Sequence, residues 1–204
     1  MRADRLEHSA RRDRRLGDLG CDVAQRVIHG VGNRGTIGGS LVHADPAADW
    51  ITALAAIGAQ AIIAQPGGKR TVPVGDLMLG VFEAALEPSE LLEAIRIPRL
   101  SASARSGYYK VSRKTGEFAH AIGAVLDDPD RGVCRAAIGA IDTKPIVLAD
   151  ARPLFGGRRS SRLSEAFQAH VADDLLRRAG VADPIDRQIH VAALRRAVSQ
   201  ASPA

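Results

Sequence analysis

NRGTIGGSLVHADPAAD, residues 33–49, packs small side chains into a stretch where a regular element would otherwise stand. With Gly30 and Gly32 ahead of it, five of the ten residues 30–39 are glycine, a density that predicts a loop. Gly30, Gly32 and Gly35 satisfy GxGxxG, so a Rossmann turn has to be tested first; such a turn follows a buried strand, opens directly into a helix and leads to a second strand ending in an acid. The surroundings disagree. RVIH is a poor strand, TIGGS stands where the helix should begin, and AQAIIAQ ends in Gln65. A second reading makes Thr36, Ile37, Gly38, Gly39 and Ser40 a tight turn whose two glycine amides face an anion, with the hydroxyls of Thr36 and Ser40 alongside. A helix beginning near Pro46 would add its positive end. Composition alone divides evenly between such a cradle and a plain surface loop.

Working outward, Asp45 is placed to cap a helix with Pro46 at its first position, and Trp50, Leu54 and Ile57 fall on one face until Gly58. AQAIIAQ reads as a strand, PGGKR as its turn and TVPV as the return; GDLMLG is an irregular connection. GGKRT is no phosphate-binding P-loop, because the upstream glycine and a Ser or Thr directly after Lys69 are missing. ELLEAIRIP fits helix and strand spacing alike, and its terminal alternation and Pro98 favour a strand. Residues 100–107, LSASARSG, suit a boundary between two lobes. Beyond them YYKVSRK, FAHAIGAVL and VCRAAIGAI, separated by TGE and DDPDRG, predict a three-stranded antiparallel meander. One amphipathic helix is expected over residues 164–179 and another around Val191, Leu194 and Val198, giving an α+β chain. Residues 1–29 read as a charged helical lead-in, with Leu16, Leu19, Val23, Val27 and Ile28 near helical spacing.

The bulk numbers exclude several classes. A chain of 204 residues with 46% hydrophobic side chains can bury a core. Aromatics at 3% leave no platforms for stacking single-stranded bases. The net charge of +5 owes much to the arginines of the first fifteen residues, where mixed signs suit a solvated helix face better than a nucleic-acid arm. Cys21 and Cys134 form no CxxC and so encode neither a cluster nor a disulfide framework, and His43 with Asp45 lacks a third metal ligand. No apolar run is long enough to span a bilayer and no secretory h-region is present, so a cytoplasmic location is expected.

The wording of residues 33–49 resembles the second flavin-binding motif of the flavoprotein subunits of carbon monoxide dehydrogenase and xanthine dehydrogenase type enzymes. LEPSELLEAIRIP (residues 86–98) and YYKVSRKTGEFAHAIGAV (108–125) are similar to the end of that family's flavin domain and the start of its C-terminal domain, in the same order. ADPIDRQIHVAALRRAVSQA (182–201) is similar to the closing segment. The resemblance implies that residues 1–100 are the second part of a PCMH-type FAD-binding domain and that 101–204 are a CO dehydrogenase flavoprotein C-terminal-like domain. Family members also carry an N-terminal flavin subdomain with its own glycine-rich turn, which the resemblance places ahead of this chain. Position by position it implies that Thr36, Ile37, Gly38, Gly39 and Ser40 hold the FAD pyrophosphate. Asp49 and Leu92 match flavin contacts, and Lys110 matches a lysine near the ring. Read without the resemblance, Asp49 is a first-turn acid, Leu92 a core residue and Lys110 a solvated strand charge. The implied assembly is a hetero-oligomer with a large molybdopterin-binding subunit and a small [2Fe-2S] subunit. Within it this chain performs no substrate chemistry and relays electrons to an external acceptor. The rival is a scaffold of the same family that holds no flavin.

Overall fold

The computed structural model describes residues 36–114, 116–157 and 163–202. The expected lead-in helix over 1–29, Cys21, Gly30, Gly32 and Gly35 lie outside them. Where glycine density predicted a loop, Ile37–His43 forms helix α1. Thr36, extended at φ −120°, caps it by accepting the Gly39 amide at 2.9 Å on Oγ1. Two helical glycines cost about 1 kcal/mol each relative to alanine; full burial of Ile37 and Leu41 returns about 1.5–3 kcal/mol apiece, so the turn holds.

Helix α2 runs from Asp49 to Ala56, later than Asp45 and Pro46 suggested. The carboxylate of Asp45 is occupied locally, accepting the Ala47 amide at 2.9 Å in an Asx turn, and the chain becomes helical only after Ala48. The end of α2 falls where expected. Gly58 at φ +74° closes a Schellman motif, donating to Ala55 O while Ala59 donates to Leu54 O. Residues 50–56 of α2 are all buried, the mark of a helix covered on every side.

What covers α2 comes from both halves of the chain. Strands β1 (Gln60–Gln65), β2 (Gly68–Pro73), β3 (Met78–Gly80), β4 (Glu83–Ala84) and β5 (Leu91–Arg96) follow. β1 is central in the antiparallel order β2-β1-β5, and β3 pairs with β4 alone. Pro66 and Gly67, the latter at φ +85°, make the β1–β2 turn, with Gln65 opposite Gly68. Arg70 on β2 clamps the approach to β5, donating Nε and Nη2 to the two carboxylate oxygens of Glu90 at 2.7 and 2.6 Å. A bulge at Glu93 leaves Ile62 opposite Ala94 and Ile63 opposite Leu92, so Leu92 and Ile95, three apart, both pack on the core.

The second sheet has four antiparallel strands where three were expected: β6 (Arg105–Val111), β7 (Ala121–Asp128), β8 (Val133–Gly139) and the short β9 (Ile146–Leu148). Every residue of β7 is buried, because helices cover both faces of the sheet. The helix expected over 164–179 is two, α3 (Leu163–Ala166) and α4 (Ala169–Arg178), since Gln168 turns extended and donates its amide to Leu154 O at 2.8 Å. Helix α5, Pro184–Ala201, is capped by Asp183, as its DP start signals. It lies on β6 and β7 at backbone distance: a Cβ on Gly107 would stand 1.8 Å from Ala197 O, and one on Gly123 2.5 Å from Leu194 Cα. On the opposite face a Cβ on Gly139 would stand 1.8 Å from Thr52 Oγ1 of α2. His190 of α5, fully buried, sets Nδ1 against Asp186 O and Nε2 against Ala140 O, joining the helix to the end of β8.

The residues 98–104 between the halves form no regular element. They are tied down by Asp128 at the end of β7, which accepts from both the amide and the hydroxyl of Ser101. Burial pushes that carboxyl up, and the Ser101 and Arg131 contacts outweigh it, leaving the group below its ordinary value. Around α2 one apolar cluster joins Ile37, Leu41, Ala61, Ile63 and Leu77 to Tyr108, Ile122 and Ala137.

Candidate functional site

The N-terminal turn of α1 brings Thr36, Ile37, Gly38, Gly39 and Ser40 together, and they divide by role. Ile37 is buried and anchors the turn, whereas Thr36 and Gly39 are exposed. The sequence left both glycine amides bare. In the folded chain the Gly39 amide is taken by the Thr36 hydroxyl and the Ser40 amide by Thr36 O at 3.0 Å. The amides of Ile37 and Gly38 meet no acceptor among the described residues, as the first amides of a helix do. Thr36 Oγ1 uses only an acceptor position in its cap, so its hydroxyl proton is still available to an anion.

Gly38 fits an outside group. Its φ is not positive, and a Cβ built on it would stand 3.8 Å from Leu92 Cδ2, an ordinary contact. Among the described residues neither backbone nor packing demands glycine there, although alanine would suit a helix better by about 1 kcal/mol. What a side chain would obstruct is the approach of something else to the turn. The same contact puts Leu92 beside the turn, an arrangement the bulge at Glu93 makes possible.

Asp49 and Lys110 are brought together, which their sequence positions did not foretell. Lys110 Nζ lies 3.0 Å from Asp49 Oδ2, with the side chains only 20% and 14% exposed. Tyr108 donates its hydroxyl to Asp49 Oδ1. Tyr108 is the participant that sequence reasoning missed; strand alternation puts it on the same face as Lys110, two residues on, and that was the available signal. The result is a partly desolvated ion pair where α2 begins, with the carboxylate held from two sides.

Comparison with known proteins gives the class to which this fold is similar. Residues 9–100 match the family described as FAD binding domain in molybdopterin dehydrogenase. The carbon monoxide dehydrogenase medium chain of Hydrogenophaga pseudoflava is 33% identical over 138 residues, which are 67% of this chain and 46% of that one. The corresponding chain of Afipia carboxidovorans is 39% identical over 106 residues, 52% of this chain and 37% of its own. In solved structures, a chain of carbon monoxide dehydrogenase from Hydrogenophaga pseudoflava superposes with a TM-score of 0.69 at 25% identity, covering 90% of this chain and 67% of that one. Residues 9–100 carry that FAD-binding domain, and the chain as a whole is similar in sequence and fold to the FAD-binding medium subunits of the molybdenum hydroxylases. It spans less than half the length of these two curated relatives in sequence.

Proposed function

We propose that this chain holds FAD within a molybdenum hydroxylase and relays electrons from the iron–sulfur clusters of a small partner subunit to an external acceptor. Substrate oxidation belongs to a large molybdopterin-binding subunit, and the assembly works in the cytoplasm. Residues 1–100 supply the second part of the flavin domain and 101–204 the C-terminal domain. Bound FAD supplies the two-electron carrier, whose chemistry is the cofactor's own. The protein supplies position and electrostatics. Thr36, Ile37, Gly38, Gly39 and Ser40 receive the diphosphate, through the Gly38 and Ile37 amides and the Thr36 hydroxyl. Leu92 offers an apolar wall beside that turn, Asp49 would contact the flavin, and Lys110 would stand near its ring.

The observation that carries this reading is the glycine at 38, which packing among the described residues does not explain. The ion pair adds a refinement to the role that the lysine has by resemblance. A lone cation beside the ring would favour the reduced, anionic flavin, but here Asp49 lies 3.0 Å from it and cancels much of its field. The pair then sets a potential between those of either charge alone.

The test is the visible flavin absorbance of the complex purified with its partner subunits, for the native chain and for Gly38→Ala. Flavin in the first and its loss from a folded second support the assignment. A folded native complex with no flavin absorbance would leave a scaffold that keeps the family's fold without the cofactor.

A further inference from the structure

At the far end of α2 from Asp49 the chain encloses a cavity of about 300 Å³. Its lining includes Gly58 and Ala59 after the helix, Gly75, Arg135, Lys144 and Val147. Arg135 enters from β8, two and four residues before Ala137 and Gly139, on the sheet face that α2 covers. Its guanidinium lies flat against the C-terminal turn of α2: a Cβ on Gly58 would stand 3.3 Å from both Nε and Cζ.

Among the described residues that guanidinium meets no counter-charge. Nε is buried without a hydrogen-bond partner, and no carboxylate pairs with Arg135 among the described residues. Arg135 is half-buried, and the partial loss of water lowers its pKa. Asp76, the acid in the lining, is engaged by Lys144 on the rim at 3.4 Å, and both side chains are more than half exposed. The carbonyl end of α2 favours a nearby cation, but the helix is only two turns long and its partial charge offsets a fraction of the lost hydration. A guanidinium nitrogen buried without an acceptor is uncommon in folded proteins. The cavity opens to solvent, and at its rim Lys144 would have to turn from the exposed Asp76 to meet an anion.

We propose that this cavity binds a small oxyanion, a phosphate or a short carboxylate, through Arg135 with Lys144 at the mouth. Its volume lies at the lower end of the ligand-pocket range of about 300–1,000 Å³, which suits such an ion and excludes a dinucleotide. The site is separate from the flavin turn, and its occupant is a second ligand.

Titration calorimetry and melting of the full chain with inorganic phosphate and with acetate, against chloride at matched ionic strength, test it. Saturable binding of either ion is expected, with melting raised by about 5 °C at an ion concentration near 100 times Kd. Saturation by phosphate alone identifies a phosphoryl-bearing ligand, and saturation by acetate alone a carboxylate. Arg135→Met should melt no lower than the native chain in chloride, since it removes an unpaired charge, and should lose the ion dependence. Lys144→Ala, at an exposed position, should fold normally and bind about three- to tenfold more weakly. Equal melting in all three salts with no saturable heat overturns the proposal, whether or not Arg135→Met folds. So does Arg135→Met that still saturates with phosphate or acetate like the native chain.

Discussion

Two groups of glycines sit in this molecule for opposite reasons. At the seam between α5 and its sheet, Gly107 and Gly123 are required by the protein itself, because a Cβ on either would run into helix backbone. At the start of α1, Gly38 has room for a Cβ and a backbone that any residue adopts. The first kind of glycine reports on folding. The second is free of that demand among the described residues, which is what the proposed role at the flavin requires. Two ion pairs repeat the contrast: Arg70–Glu90 faces only protein, and Asp49–Lys110 stands where the flavin ring is proposed.

The sharpest way to break the comparison is Gly123→Ala. Backbone-on-backbone overlap with α5 should cost about 3 kcal/mol or more, or prevent folding, as read by chemical denaturation. Gly38→Ala should behave the other way, holding or raising stability by up to about 1 kcal/mol while flavin affinity falls about ten- to a hundredfold, the worth of one amide bond to a charged oxygen. If both variants lose stability alike, the distinction drawn here fails.

The ion pairs sharpen it further. Lys110→Ala should lower the flavin potential, because the Asp49 carboxylate then stands alone and opposes the reduced anion; Asp49→Asn should raise it. Each shift is on the order of tens of millivolts in a redox titration of the assembled complex. Arg70–Glu90 should show itself only in acid. The Arg70 contact, helped by the Glu87 amide, holds Glu90 at about 2 against its usual 4.5, so the stability it contributes is complete above 4.5 and is lost as pH falls towards 2. Glu90→Gln should therefore be less stable than the native chain at neutral pH, with the gap closing between those values and no effect on flavin.

The residues of the proposed flavin turn stood out in the sequence because five glycines crowd into residues 30–39 and the wording around them is distinctive. The helix that Thr36 starts was not legible, because local composition spoke against it and the decisive term, burial of Ile37 and Leu41, is tertiary. β5 was ambiguous for a reason the structure supplies: the bulge at Glu93 puts Leu92 and Ile95 on one face at a spacing that imitates a helix. β9 escaped notice since three residues carry too little pattern, and the break at Gln168 since its cause is a carbonyl fourteen residues away, at Leu154. Arg135 looked like any strand arginine. That its Nε meets no acceptor among the described residues is visible only once α2 lies over it.

The all-round burial of α2 has a consequence for how the chain can be made. As synthesis proceeds, α2 leaves the ribosome long before β7 and β8, on which it must pack, have been translated, and until then it presents Trp50, Ile51 and Leu54 to water. A nascent chain arrested near residue 100, or a proteolytic cut there, strands an apolar helix without its cover, and such halves should aggregate rather than persist as separate folding units.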